Sequence, residues 1–144
     1  MRFRAAFPLV LITFLGFSCR PPQTSAVVLT TLPSGLGVLD LSLGQGPSPK
    51  LGQTCIVEAL GWIEEGGVKG RSFLDTKKRG FPLSFPLGGG RVIKGWEEGL
   101  ATMKKGGRRL LRVPPPLGYT PQEAGHDIPP GATLIFELEL IDIR

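Results

Sequence analysis

FPLGGGRVIKGWEEGLATM, residues 85–103, decides the reading of this chain. It reads as a strand end, a glycine turn and one helix with a tryptophan near its start. Ile93, Trp96, Leu100 and Met103 are spaced so that all four fall on one face of a helix expected over about 95–104. Gly106 and Gly107 follow the pair Lys104-Lys105, a C-terminal stop signal. Trp96 therefore enters the interior from a first helical turn, beside the short apolar strand end Val92-Ile93. A large flat ring at that place can floor an apolar pocket, or it can simply fill the core.

Strands are expected outward from this segment at 36–43, 53–63, 69–75, 82–87, 107–113 and 133–143, with a charged turn at 77–80. The last is the clearest, because Leu134, Phe136, Leu138 and Leu140 alternate with Ile135, Glu137 and Glu139. Between Val113 and Thr133 runs PPPLGYTPQEAGHDIPPGA, with no strong helical or strand pattern; so long a connection in a small domain is usually functional or mobile. A chain of 144 residues has room for one domain with a core, and its 21 Gly and 14 Pro suit a turn-rich, mostly β architecture.

The first residues read as an address. Arg2 and Arg4 precede the apolar run AAFPLVLITFLGF, which stops at Ser18-Cys19. The run is short for a membrane span, and Cys19 stands where a small-residue cleavage site would be. Residues 1–19 thus resemble a bacterial lipoprotein signal, with Cys19 the lipidated residue, although Gly16 takes the place of the usual leucine. An ordinary secretory peptide or an uncleaved anchor is the competing reading. Residues 20–33 would then be a tether. This organisation implies an exported protein held in the cell envelope or periplasm, touching membrane only through its N-terminal anchor.

Several chemistries lose their usual support. Lipidation of Cys19 would leave one cysteine, Cys55, in an alternating strand segment where it is most simply a small core residue. With one histidine, His126, no metal cluster or nucleophile–histidine pair can be assembled, and no cofactor is expected. The net charge of +5 falls to +3 once Arg2 and Arg4 are removed. The basic runs Lys77-Lys78-Arg79 and Arg108-Arg109 are short, lack interleaved aromatics and read as solvated positions, so no nucleic-acid partner is expected.

Four segments, in order and at matching spacing, resemble the FKBP-type peptidyl-prolyl isomerases: SGLGVLDL at 34–41, GQTCIVEALGW at 52–62, VIKGWEEGL at 92–100 and IPPGATLIFELEL at 128–140. The resemblance covers 34–144. It implies an α+β domain, a curved antiparallel sheet wrapped around one short helix, with the 114–132 connection overhanging a pocket between them. It implies a prolyl isomerase acting on Pro-containing polypeptide clients, as a monomer, and binding of macrolide inhibitors. Carried over residue by residue, the pocket is Phe73, Val92, Ile93, Trp96, Tyr119, Ile128 and Phe136. Trp96 would lie under the proline ring, Phe73 and Phe136 would be walls, and the Ile93 N–H and Tyr119 hydroxyl would bind substrate carbonyls.

Two positions depart from the family pattern. Ala59 stands where tyrosine is frequent, and Leu74 follows Phe73 where the family has aspartate, joined there by an arginine that corresponds to Arg79. Asp75 is one place too late unless Leu74 is an insertion, and the interval from Phe73 to Pro82 has the family length. If Ala59 and Leu74 line the site, the expectation is weak to moderate isomerase activity and reduced macrolide binding. A non-catalytic module that holds a Pro-containing segment of a partner is the alternative.

Overall fold

The computed structural model describes residues 28–144. The signal at 1–19, Cys19 and the tether as far as residue 27 lie outside the described residues. Within them, β1 (Thr30–Thr31), β2 (Gly37–Ser42), β3 (Thr54–Glu65), β4 (Val68–Asp75), β5 (Leu83–Pro86), β6 (Arg108–Val113) and β7 (Leu134–Ile143) form one antiparallel sheet. The strand order is β1-β2-β6-β7-β3-β4, with β5 pairing β3 as well. Helices are short: α1 (Thr76–Arg79), α2 (Lys94–Ala101) and α3 (Pro121–Ala124).

The twelve residues of β3 organise this sheet. One edge pairs with β7 along nearly its whole length, while the other is shared, residues 54–57 taking β5 and 60–65 taking β4. Between the two partners the backbone of Ala59 would lack a ladder contact. Buried Thr76, at the start of α1, fills the gap: its Oγ1 accepts from the Ala59 N–H at 3.0 Å. This satisfies a backbone donor that would otherwise be costly to bury.

Alternation in β3 and β7 sends Val57, Ala59, Ile63, Leu134, Phe136, Leu138 and Leu140 to the covered face, where α2 lies. The helix approaches closely because Gly95 and Gly99, one turn apart, face β6. A Cβ on Gly95 would stand 2.8 Å from Val113 Cγ1, and one on Gly99 2.6 Å from Leu111 Cδ1. Ile93, Trp96, Leu100 and Met103 all become buried, as their spacing predicts. The helix itself is shorter than expected, with Ile93 as its N-cap and Met103 beyond its end. Tertiary hydrogen bonds stop it: the Lys105 N–H donates to Pro47 O at 2.9 Å and the Gly106 N–H to Leu140 O at 2.7 Å.

Four further expectations are corrected. The tether is not free over its last residues, since β1 pairs with β2 and Leu32 packs against the core. The charged turn at 77–80 is the helix α1, for which Asp75 is the N-cap, accepting from the Lys78 N–H at 3.0 Å; Gly80 closes it at φ +85°. The patternless connection contains a 3₁₀ turn at Pro115–Leu117 and α3, which opens with a reciprocal Thr120–Glu123 capping box and a proline in its first turn. Arg109, read as solvated, is buried. Its Nε and Nη2 bind Asp40 at 2.6 and 3.0 Å, and Nη1 donates to Gly99 O and Thr102 Oγ1 at the end of α2. A cation is favoured at a helix C-terminus, so β2, β6 and α2 are tied by one side chain.

Candidate functional site: an aromatic cleft between sheet and helix

A cleft of about 550 Å³ opens between the end of β4, β5, the start of α2 and the 114–132 connection. Seven of the residues named from sequence line it: Phe73, Leu74, Val92, Ile93, Trp96, Tyr119 and Ile128. Phe136 lies beneath them, fully buried, with its ring edge-on to Trp96 at 5.2 Å and to Phe73 at 5.7 Å. Phe73 in turn meets Tyr119 edge-on at 6.5 Å. These T-shaped contacts join four rings into one rigid apolar surface.

Local chain geometry explains why adjacent residues Phe73 and Leu74 both reach the cleft. Along β4, Leu74 pairs with Gly61 but Ser72 pairs with Trp62, so Phe73 is an extra residue in a β-bulge. A bulge breaks the strict alternation of sides and re-aims the residue it carries. Gly61 makes the arrangement possible. A Cβ there would stand 3.0 Å from both Phe73 Cζ and Phe136 Cε1, and 3.1 Å from Leu74 Cβ. Sequence reasoning passed over Gly61, although a glycine inside an otherwise apolar strand signals just such a close approach.

Trp96 is only 2% exposed, yet its indole Nε1–H has no acceptor among the described residues. A buried donor without a partner is uncommon in an ordinary core and calls for an explanation. At Ile93, φ −61° and ψ 153° turn the carbonyl into the helix, where it accepts from the N–H of Trp96 at 3.0 Å and of Glu97 at 3.2 Å. The Ile93 N–H is directed away from the helix and donates to no protein acceptor among the described residues. The Tyr119 hydroxyl is held protonated: burial pushes its pKa up from the usual value, partly opposed by the Arg79 charge and reinforced by Glu123.

Ala59 is not part of this cleft. Its methyl group is buried in the core and borders a small separate cavity beside Thr76 and Leu138, so a side chain this short does not reach the aromatic surface. Leu74 does border the cleft and is nearly buried, whereas Asp75 is occupied in capping α1, which favours the ungapped reading of this segment. Lining residues not assigned from sequence include Leu83 and Phe85 of β5 and the rim charges Arg91, Glu123 and Asp127, while Arg79, named from sequence beside Leu74, lines the cleft too. Phe85 packs against Trp96 with ring centroids 6.0 Å apart. Its place in the strand alternation was legible, but its adjacency to Trp96 depends on β5 pairing with β3.

The cleft can accept a small apolar ring against Trp96, flanked by two hydrogen-bond donors, in a single-domain antiparallel sheet closed by one helix. Those features define a single-domain sheet-and-helix fold with an apolar aromatic cleft. Residues 46–141 match the model of the FKBP-type peptidyl-prolyl cis-trans isomerase family, and the chain belongs to that family. It is 46% identical over 109 residues to an FK506-binding protein of Neisseria meningitidis serogroup B, a match spanning 76% of this chain and 96% of the relative. Similarity to FK506-binding protein 4 of Rhizopus delemar is 42% over 116 residues, covering 81% of this chain but only 29% of that longer relative. The fold superposes on the crystal structure of AtFKBP13 with a TM-score of 0.72 and 36% identity, covering 81% of this chain and 99% of that one. FkpA from Escherichia coli gives 0.71 and 39%, covering 81% of this chain and 51% of FkpA.

Proposed function

We propose that this protein is a peptidyl-prolyl cis-trans isomerase that accelerates X-Pro bond rotation during folding of exported proteins. The observation that carries this reading is the aromatic cleft, which places two unused donors, the Ile93 N–H and the Tyr119 hydroxyl, around the buried indole of Trp96. Rotation about X-Pro has a high barrier because the twisted amide loses resonance. No bond is made or broken, so no nucleophile is needed. An apolar cleft favours the less polar twisted form over the planar one, and fixed donors hold the chain while it turns. In this mechanism the proline ring rests on Trp96 beside Phe73, over the buried ring of Phe136. Tyr119 donates to the carbonyl of the X-Pro bond, and Ile93 to a carbonyl further along the substrate. Val92 and Ile128 close the sides. Each tenfold in rate requires about 1.4 kcal/mol of preference for the transition state.

Leu74 supports a reduced rate, because an apolar side chain borders the cleft where a polar group could face the twisting carbonyl. It also supports the second reading, a module that binds Pro-containing segments without turning them over. The two separate in one assay. An isomerase exchanges cis and trans forms of a short proline peptide measurably faster than buffer; a binding module saturates with the same peptide and leaves the exchange rate unchanged.

Export and anchoring rest on residues 1–19, with Cys19 the acceptor of lipid. Metabolic labelling with a fatty-acid analogue is expected to mark the native chain and not Cys19→Ala. A labelled Cys19→Ala chain contradicts the assignment. Macrolide binding, expected at the same cleft, is weakened by Leu74, which borders it, while Ala59 adds no contact there.

A further inference from the structure

The 114–132 connection forms one side of the cleft, through Tyr119, Glu123, Ala124, Asp127 and Ile128. Its polar bonds are almost all internal. The N–H groups of Leu117, Gly118, Glu123, Ala124 and Ala132 donate to carbonyls three or four residues back, and the Thr120–Glu123 box closes on itself. To the rest of the domain it is joined by apolar packing of Leu117, Tyr119, Ile128 and Ala132 and, among the described residues, by one hydrogen bond. That bond comes from Arg71 of β4, whose Nη2–H donates to the backbone carbonyl of Asp127. An irregularity in β4 brings Arg71 there. Trp62 pairs with Ser72 and Glu64 with Lys69, so Gly70 and Arg71 together stand opposite Ile63. This is a second bulge beside the one that carries Phe73, and a bulge re-aims the side chains next to it. Glu65 folds over Gly70, where a Cβ would stand 2.4 Å from its Cδ, and its carboxylate accepts from the Arg71 N–H at 3.4 Å.

We propose that Arg71 is a positioning residue for the cleft: by holding the Asp127 carbonyl it keeps the connection, and with it Ile128, set against the β4 segment that carries Phe73. This rests on the proline-binding reading of the cleft. A bond from an exposed arginine ordinarily contributes little to folding. Here it acts on a segment with no second polar tie to the domain among the described residues, so a small contribution shifts the balance between a set and a lifted connection. Only the set form presents the complete cleft, and apparent affinity falls with the fraction of molecules that hold it. A bound peptide draws the connection back to the set form. Loss of Arg71 therefore acts on KM, while turnover at saturation is retained.

The test compares the native chain with Arg71→Met, which keeps the length of the side chain without its donors, and Arg71→Lys, which keeps a charged donor. Cis-trans exchange of a proline tetrapeptide is followed by NMR over a range of peptide concentrations, and Kd is measured by calorimetric titration. In Arg71→Met, KM and Kd are expected to rise about threefold to fivefold with kcat within about twofold of native, and Arg71→Lys to recover most of the loss. Without peptide, amide hydrogen exchange at Glu123, Ala124 and Ala132 should quicken severalfold in Arg71→Met while exchange in β3 and β7 is unchanged. Unaltered KM and exchange in Arg71→Met overturn the proposal, and so does a fall in kcat at constant KM. Exchange quickened throughout the sheet also overturns it, and assigns Arg71 to the stability of the whole domain. A native chain that binds the peptide without turnover overturns the isomerase alone, and Kd with amide exchange then decides the role of Arg71. A native chain that binds no proline peptide overturns the proline-binding reading and the positioning role with it.

Discussion

Under the proposed isomerase function, Leu74 is the residue whose replacement should raise the rate. It borders the cleft beside Phe73, with the unpaired Arg79 lining the same space. Leu74→Asp is therefore expected to raise kcat/KM on a neutral proline peptide severalfold, because a polar group then faces the rotating carbonyl and is itself paired with Arg79. An unchanged rate in a folded variant would remove this explanation for slow turnover. Tyr119 yields a pH prediction. Burial raises its folded pKa above the ordinary phenol value. The stability tied to the neutral phenol is present below the unfolded pKa near 10 and is lost as pH rises through the higher folded value. The donor is thus intact at neutral pH, and the rate on an uncharged peptide should be flat between about pH 6 and 9. A loss within that window that disappears in Tyr119→Phe would contradict the assignment. At this scale most of the cleft was legible in sequence, because Trp96, Tyr119 and the Val92-Ile93 pair sit in recognisable spacing. Ala59 was misplaced, since sequence aligns a position but does not say how far its side chain reaches. The rim charges Arg91, Glu123 and Asp127 were missed because separate connections bring them together.

Among the elements, α2 shows most directly how a short segment controls the site. Eight residues are too few to be stable alone, so packing must hold the helix in place. Gly95 and Gly99 allow it to lie close on β6, and Arg109 donates to the Gly99 carbonyl and the Thr102 hydroxyl at its end while paired to Asp40. Gly95→Ala gains intrinsic helix propensity but drives a methyl group into Val113, a stiff and fully buried side chain. The expected net effect is a loss of about 1–3 kcal/mol in denaturant unfolding, with a weakened cleft because Trp96 is displaced. A stabilised variant would show that the approach of α2 is looser than these distances imply. The strands were legible to within a few residues because alternation and turn residues agree. The ends of α2 were not, since hydrogen bonds from Lys105 to Pro47 and from Gly106 to Leu140 compete with helix continuation. Likewise α1 and α3 are too short to show periodicity. Only their caps, Asp75 with Gly80 and Thr120 with Glu123, announce them.

The molecule as a whole places one long strand, β3, between β7 on one edge and β4 and β5 on the other, so that sheet and helix enclose one hydrophobic core with the aromatic cleft at its edge. The aromatic cleft with its two free donors supports the proposed rotation about X-Pro bonds. Family membership supports that reading, and its central claim is that this cleft turns its ligand over. The most direct measurement is cis-trans exchange of a proline tetrapeptide by the purified protein, with Trp96→Leu and Tyr119→Phe alongside and folding checked by circular dichroism. Truncating a buried tryptophan costs about 3–5 kcal/mol, so Tyr119→Phe, which keeps the ring, guards against a variant that fails through instability. The expected result is catalysis by the native protein that falls at least tenfold in Trp96→Leu and severalfold in Tyr119→Phe. A folded native protein that binds the peptide and leaves its exchange rate at the buffer value would contradict the isomerase and assign the cleft to binding alone.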